Sequence, residues 1–94
     1  MAITVKFVGA LRHASGTGEL ALDYPEGTSV RVLVSKVTDN APDFKRSLIN
    51  QQFDPAYPNA LILVNGKEIS VLNGLDTKLK DGDEVVFVPV VHGG

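Results

Sequence analysis

The sequence has no cysteine among its 94 residues. Disulfide bridges, thiolate metal sites and a cysteine nucleophile are therefore excluded, and nothing points to an oxidising compartment. The only histidines, His13 and His92, lie far apart, and no His pair has the spacing of a metal-binding motif. We expect no metal site and no bound cofactor.

Long apolar runs and an excess of basic residues are also missing. The apolar run at residues 61–64 is far shorter than the roughly 20 residues of a membrane-spanning helix. The opening residues lack the charged-then-apolar layout of a signal peptide. Nine Lys and Arg residues against eleven Asp and Glu residues give a net charge of −2, whereas nucleic-acid binding needs clustered basic residues. We expect a cytoplasmic protein that binds neither membranes nor nucleic acid.

Catalytic spacings are absent as well. Glycines 9, 16 and 18 have neither the phosphate-loop nor the dinucleotide-binding spacing, so turn glycines are the simpler interpretation. Asp81 and Asp83 flank Gly82 and are more simply turn and strand-end residues than an acid/base pair. The acidic bias of residues 76–84 leaves two interpretations open, namely a solvated strand end or a docking surface for a basic partner.

Apolar periodicity predicts a small α+β fold. Alternation over residues 3–7 and 20–24 predicts two strands, which we expect to form an antiparallel hairpin. The period then changes to that of a helix, with Ser29 or Thr28 as the N-cap and an end by residues 40–41, ahead of Pro42. The residues on its apolar face are Val30, Leu33, Val34 and Val37. A short helical segment near residues 44–49 and an extended loop at 54–59 should follow.

The last third returns to strands. A strand at residues 61–64 leads into Asn65-Gly66, the strongest short hairpin signal, and residues 67–71 can be the return strand. A final strand at residues 84–88 is apolar on both faces, which is typical of a central strand. We expect it to pair in parallel with residues 3–8. We also expect Phe7, Leu33 and Phe87 to lie in the core.

The sequence ends on Gly93-Gly94, a combination that chance alone places at the end of about 0.5% of chains. A flexible tail without a role is the simple interpretation. The functional interpretation is that a slim lead, without Cβ atoms, carries an acyl group into another protein's narrow active site. We expect residues 1–94 to be a single domain, with 90–94 as a flexible tail.

Several segments in register resemble the ubiquitin-like (β-grasp) sulfur carriers, above all the molybdopterin synthase small-subunit family of archaeal type. The segments that carry the resemblance are residues 8–12 with Ser15-Gly16, residues 25–30, residues 62–67, and residues 75–85 leading to Pro89 and Gly93-Gly94. The resemblance implies a ubiquitin-like β-grasp fold, which is a mixed sheet of four to five strands with one main helix across one face.

The resemblance also implies a chemistry and partners. In the family an E1-like enzyme adenylates the terminal glycine with ATP, and a sulfur donor acting through that enzyme converts the glycine to a thiocarboxylate. Gly94 would be the acyl residue here. The partners would include the molybdopterin synthase large subunit. The residues that would contact partners are Gly93, His92, Val91 and Arg12. The chain would then be a co-substrate or small subunit more than an enzyme.

Three functions stay open at this point. The first is sulfur donation in molybdenum or tungsten cofactor synthesis, which we expect. The second is a ubiquitin-like protein modifier or a sulfur carrier for tRNA thiolation. The third is a non-covalent β-grasp binding module in which Gly93-Gly94 has no role.

Overall fold

The computed structural model describes residues 1–9, 11–12, 16–40 and 60–89. The strands are β1 (Ala2–Phe7), β2 (Glu19–Asp23), β3 (Ala60–Val64), β4 (Lys67–Glu68) and β5 (Glu84–Pro89), and the main helix, α1, is Val30–Asn40. Two 3-10 turns, Ile69–Val71 and Gly74–Asp76, connect β4 to the segment before β5.

The five strands form one mixed sheet in the order β2-β1-β5-β3-β4. β1 pairs with β2 as the predicted antiparallel hairpin. β5 lies in the middle, parallel to β1 with Val5 opposite Val85, and antiparallel to β3. The prediction of a central final strand in parallel with the first is therefore confirmed.

Helix α1 begins where the sequence predicts. The amide of Val32 donates to Ser29 Oγ at 3.3 Å, so Ser29 caps the first turn. The segment before β5 fixes this end of the helix, because the Val30 amide donates to the Thr77 carbonyl at 3.0 Å and the Leu79 amide donates to the Thr28 carbonyl at 2.9 Å.

The core lies between α1 and one face of the sheet. Phe7 and Phe87 are opposite each other on β1 and β5, and their rings stack with centroids 5.5 Å apart. Leu33 on α1 and Phe87 are fully buried, and Phe7 is 3% exposed. All three predicted core residues are confirmed. The other buried apolar residues are Ile3, Val5, Leu11, Val30, Val37, Ile62, Val64, Leu79 and Val85.

The β3–β4 hairpin confirms one prediction and corrects another. Asn65 and Gly66 both have positive φ angles, 52° and 85°, as a tight hairpin turn requires. The return strand predicted over residues 67–71 is wrong beyond Glu68. There the Glu68 carboxylate accepts the Ser70 amide and the Leu72 amide donates to the Ile69 carbonyl at 3.0 Å, so local bonds draw the backbone into a 3-10 turn.

Some expectations fall outside the described residues, namely the helical segment near residues 44–49 and the loop at 54–59. Within the residues that the structure describes, no helix is long and apolar enough to cross a membrane. The same part of the chain contains no group of three potential metal ligands.

Candidate functional site

The end of β5 determines where the predicted tail leaves the sheet. Pro89 is opposite Ala60 at the start of β3, and on the other side the Val8 amide donates to the Phe87 carbonyl at 3.1 Å. Because β1 and β5 are parallel, both end at the same edge of the sheet. We call this edge, formed by Val8, Gly9, Ala60 and Pro89, the tail-exit edge.

The predicted acyl residue and three of the predicted partner-contact residues come after β5 in the sequence. Val91, His92, Gly93 and Gly94 are outside the described residues, so their roles stay predictions.

Gly9 lies against the last residue of β5. A Cβ atom added to Gly9 would lie 3.2 Å from Pro89 Cγ and 3.7 Å from Pro89 Cδ, and the φ angle of Gly9 is +62°. Both the space and the backbone conformation therefore favour glycine at this position. The bare Cα of Gly9 lets the loop after β1 pass close to the last residue of β5.

Arg12 belongs to the same edge. Its amide donates to the Gly9 carbonyl at 3.0 Å, and its side chain folds back so that a Cβ atom on Gly18 would lie only 2.6 Å from Arg12 Nε. Arg12 is exposed. Arg12 is thus the predicted partner-contact residue that lies within the described part of the chain, and it lies beside the tail-exit edge.

An apolar patch lies on the sheet face opposite α1, beside the tail-exit edge. Strand alternation places the residues between the buried ones on this face, and the pairs Leu61–Val88 and Leu63–Val86 hold them side by side. Val8 is 46% exposed and Leu61 is 40% exposed. We call this group the exit patch; its residues are Val8, Leu61, Leu63, Val86 and Val88.

A charged pair borders the exit patch. Lys6 Nζ lies 2.9 Å from Glu84 Oε2, and the side-chain hydrogen bond to Glu84, together with its charge, raises the pKa of Lys6 above its usual value. Both side chains are about two-fifths exposed, so the pair contributes little to stability. Elsewhere, partial burial raises the pKa of Tyr24.

Two of the carboxylates in residues 76–84, those of Asp81 and Asp83, accept hydrogen bonds from other parts of the fold. Asp81 Oδ1 accepts a hydrogen bond from the Ala2 amide at 2.7 Å. Asp83 accepts two: Oδ1 accepts one from Asn65 Nδ2 at 2.8 Å, and Oδ2 accepts one from the Lys80 amide at 2.7 Å. These partners confirm Asp81 and Asp83 as turn and strand-end residues, not an acid/base pair. Asp76, on the 3-10 turn, forms an exposed ion pair with Arg31 at 3.3 Å.

Sequence reasoning missed the exit patch and the contact between Gly9 and Pro89. Val8 and Leu61 look like ordinary strand residues in the sequence, and their exposure depends on which sheet face the helix covers. A signal for Gly9 was present, since a glycine directly after a strand marks a turn. Its neighbour Pro89, however, lies at the far end of the chain.

Comparison with known proteins identifies the family. The model of the ThiS family matches residues 5–94, nearly the whole sequence. The chain belongs to the ThiS family. Among curated relatives, ubiquitin-related modifier 1 of Yarrowia lipolytica is 33% identical and a putative sulfur carrier protein of Archaeoglobus fulgidus is 31% identical, and each alignment covers 100% of both chains.

Solved structures of ThiS-like proteins share the fold. Small archaeal modifier protein 1 of Methanosarcina acetivorans is 35% identical, with a TM-score of 0.79 over 99% of this chain and 96% of that one. A putative molybdopterin converting factor, subunit 1, of Pyrococcus furiosus is 30% identical, with a TM-score of 0.78 over 97% and 99%. The expected ubiquitin-like β-grasp fold is confirmed, and the family is one of ubiquitin-like sulfur carriers and modifiers.

Proposed function

We propose that this ThiS-family protein carries sulfur on the C-terminal carboxyl group of Gly94. The observation that supports the proposal most directly is the placement of the tail-exit edge. β5 is held by β1 on one side and β3 on the other, so a rigid strand directs the tail. The exit patch beside it offers exposed apolar surface to a partner.

The proposed chemistry has two steps. The Gly94 carboxylate attacks the α-phosphorus of ATP in the active site of an E1-like enzyme, which releases pyrophosphate and forms an acyl-adenylate. A persulfide sulfur supplied through that enzyme then attacks the carbonyl carbon and displaces AMP, and cleavage of the S–S bond by a thiol leaves the thiocarboxylate. Together the two steps replace one difficult substitution, the exchange of a carboxylate oxygen for sulfur, by two easier ones.

In this scheme the protein is a co-substrate, and its surface serves the partners. The E1-like enzyme would contact the exit patch and Arg12 while Gly93 and Gly94 enter its active site. ATP is bound and consumed by that enzyme. The proposal places the protein in the cytoplasm, where ATP and the sulfur donor are supplied.

For the sulfur acceptor, the names of the relatives favour the modifier role, which we group with tRNA thiolation as one candidate. Proteins named as modifiers are 33% and 35% identical to this chain, against 30% for the molybdopterin converting factor subunit. We therefore place the modifier or tRNA-thiolation role first. Donation to a molybdopterin synthase large subunit is the second candidate, supported by the Pyrococcus furiosus structure.

Removal of Gly94 tests the carrier function. We expect the variant to lose ATP-dependent pyrophosphate exchange with the cognate E1-like enzyme and to keep the wild-type melting temperature, because a terminal tail makes few packing contacts. Gly93→Val should also block exchange through its bulk and restricted φ, whereas Gly94→Ala should have a milder effect. Wild-type exchange without Gly94 would contradict the proposal and favour a non-covalent binding module.

The acceptor is tested in a deletion strain of the native host. Loss of thiolated tRNA in the deletion strain, or lysine-linked adducts of this protein in the wild-type host, supports the first candidate. Loss of molybdopterin with normal tRNA thiolation and no such adducts supports the second. Intact mass of the protein from its host provides an independent check, since a thiocarboxylate replaces one oxygen atom by sulfur.

A further inference from the structure

Gly9 is held in place on both sides of its contact with Pro89. The amide of Val8, just before it, donates to the Phe87 carbonyl, and the carbonyl of Gly9 accepts the Arg12 amide. The loop therefore has little freedom to retreat if a side chain is added at position 9. The space for a Cβ atom ends 3.2 Å away, at Pro89 Cγ.

Pro89 is the residue through which β5 passes into the tail. Its ring fixes φ near −65°, and its backbone is paired with Ala60. A Cβ atom on Gly9 would force the Pro89 ring to give way by a few tenths of an ångström, and the paired backbone of Pro89 limits how far it can move. Residues 90 to 94 span at most about 18 Å when extended. Once the folded body is docked on the enzyme, so short a segment leaves little slack to absorb a shift of the strand end.

We propose that Gly9 is a positioning residue for activation, because its bare Cα lets the Pro89 ring settle in the orientation that aims Gly94 at the adenylating site. This inference rests on the proposed function. Gly9 itself touches neither ATP nor the reacting carboxylate. It acts through Pro89.

The competing explanation is that Gly9 is needed only for the positive φ angle of its turn. Gly16, in the same loop between β1 and β2, provides the matched control. Its φ angle is +81°, and a Cβ atom there would meet nothing within 4 Å. Gly9→Ala and Gly16→Ala therefore share the backbone strain, but only Gly9→Ala places a methyl group against Pro89.

The test measures steady-state adenylation of the full-length carrier by its cognate E1-like enzyme, with saturating ATP and varied carrier. Partial unfolding lowers the concentration of folded carrier and so raises the apparent KM, while kcat at saturation stays unchanged. A misdirected tail leaves docking of the exit patch intact and lowers kcat. We expect Gly9→Ala to lower kcat by about tenfold and Gly16→Ala to leave kcat unchanged.

A double variant makes the test specific to the contact. Replacing Pro89 by Ala removes Cγ and Cδ, the two atoms that the new methyl group would meet. We expect Gly9→Ala/Pro89→Ala to recover kcat toward the value of Pro89→Ala alone, which a cycle of the four proteins measures. Equal kcat for Gly9→Ala and Gly16→Ala, or no recovery in the double variant, would overturn the inference.

Two further measurements separate this inference from the proposed function. If the wild type is not adenylated, the proposed function fails. The effect of Gly9 on the position of Pro89 is then judged from the backbone amide resonance of Ala60, which is opposite Pro89. Gly9→Ala must shift that resonance and Gly16→Ala must not; an unshifted resonance overturns the inference. If Gly9→Ala does not fold, Gly9→Asn places a Cβ atom at the same point, because Asn tolerates positive φ.

Discussion

The two ends of the central strand pair differ in how their polar and apolar groups are used. Where β1 and β5 begin, the backbone and carboxylates bond to each other: the Gly82 amide donates to the Ala2 carbonyl at 2.8 Å, and the Thr4 amide donates to the Asp83 carbonyl at 3.1 Å. At the tail-exit edge, by contrast, the apolar side chains of Val8 and Leu61 lie exposed beside the strand ends.

This difference assigns separate tasks to the two ends. At the first end, hydrogen bonds within the molecule satisfy the acidic side chains of Asp81 and Asp83, so these charges serve stability. At the second end apolar surface is exposed at Val8 and Leu61, and we propose that it serves recognition of a partner. Substitutions at the first end should affect folding, and substitutions at the second should affect recognition.

The largest expected effect comes from the core between the two ends. Phe87→Ala removes a fully buried ring that stacks on Phe7, and we expect it to lower the free energy of unfolding by about 3–5 kcal/mol. Urea denaturation of the variant and the wild type measures this loss. A loss below about 1 kcal/mol would mean that the core tolerates the cavity and that the two ends are not joined by a rigid centre.

Asp83→Ala tests the hydrogen-bonded end. The variant loses the bonds to Asn65 Nδ2 and to the Lys80 amide, and we expect a loss of about 1–3 kcal/mol in the free energy of unfolding with normal adenylation of the folded protein. Asp76→Ala is the control, since its ion pair with Arg31 is exposed and should contribute at most about 1 kcal/mol. Equal losses of unfolding free energy in both variants would contradict the stabilising role of the Asp83 hydrogen bonds.

Val8→Ser tests the tail-exit edge and should have the smallest effect on stability. The side chain is 46% exposed, so we expect a change within about 0.5 kcal/mol but weaker binding to the E1-like enzyme, seen as a raised KM for the carrier. Val71→Ser, at a valine that is 72% exposed in the turn after β4, is the matched control and should leave KM unchanged. An equal KM for both variants would show that the exit patch does not take part in recognition of the E1-like enzyme.

The sequence alone predicted most of the fold, because its strongest signals are local. Alternation placed the strands, Ser29 marked the start of α1, and Asn65-Gly66 gave the hairpin turn. The return strand was predicted too long, since residues 69–71 have strand-like composition and only the bonds around Glu68 and Ser70 close the 3-10 turn.

The site was less predictable from sequence. The terminal glycines single out the tail, and the resemblance singles out Arg12, but the surroundings of Arg12 depend on residues that the sheet brings together. Gly9 meets Pro89 only because β1 and β5 run in parallel, and Gly18 makes room for the Arg12 side chain only after the loop has closed. Such contacts between distant segments leave no period or motif in a single sequence.

The parallel pairing of β1 with β5 has a consequence for damaged or unfinished copies. A copy that lacks β5 loses the middle of its sheet together with the tail that follows β5. We therefore expect a copy cut before β5 not to fold at all. A copy cut after Pro89 keeps every strand of the sheet, so the position of the cut decides whether a damaged copy is unfolded or is a folded body without its terminal glycines.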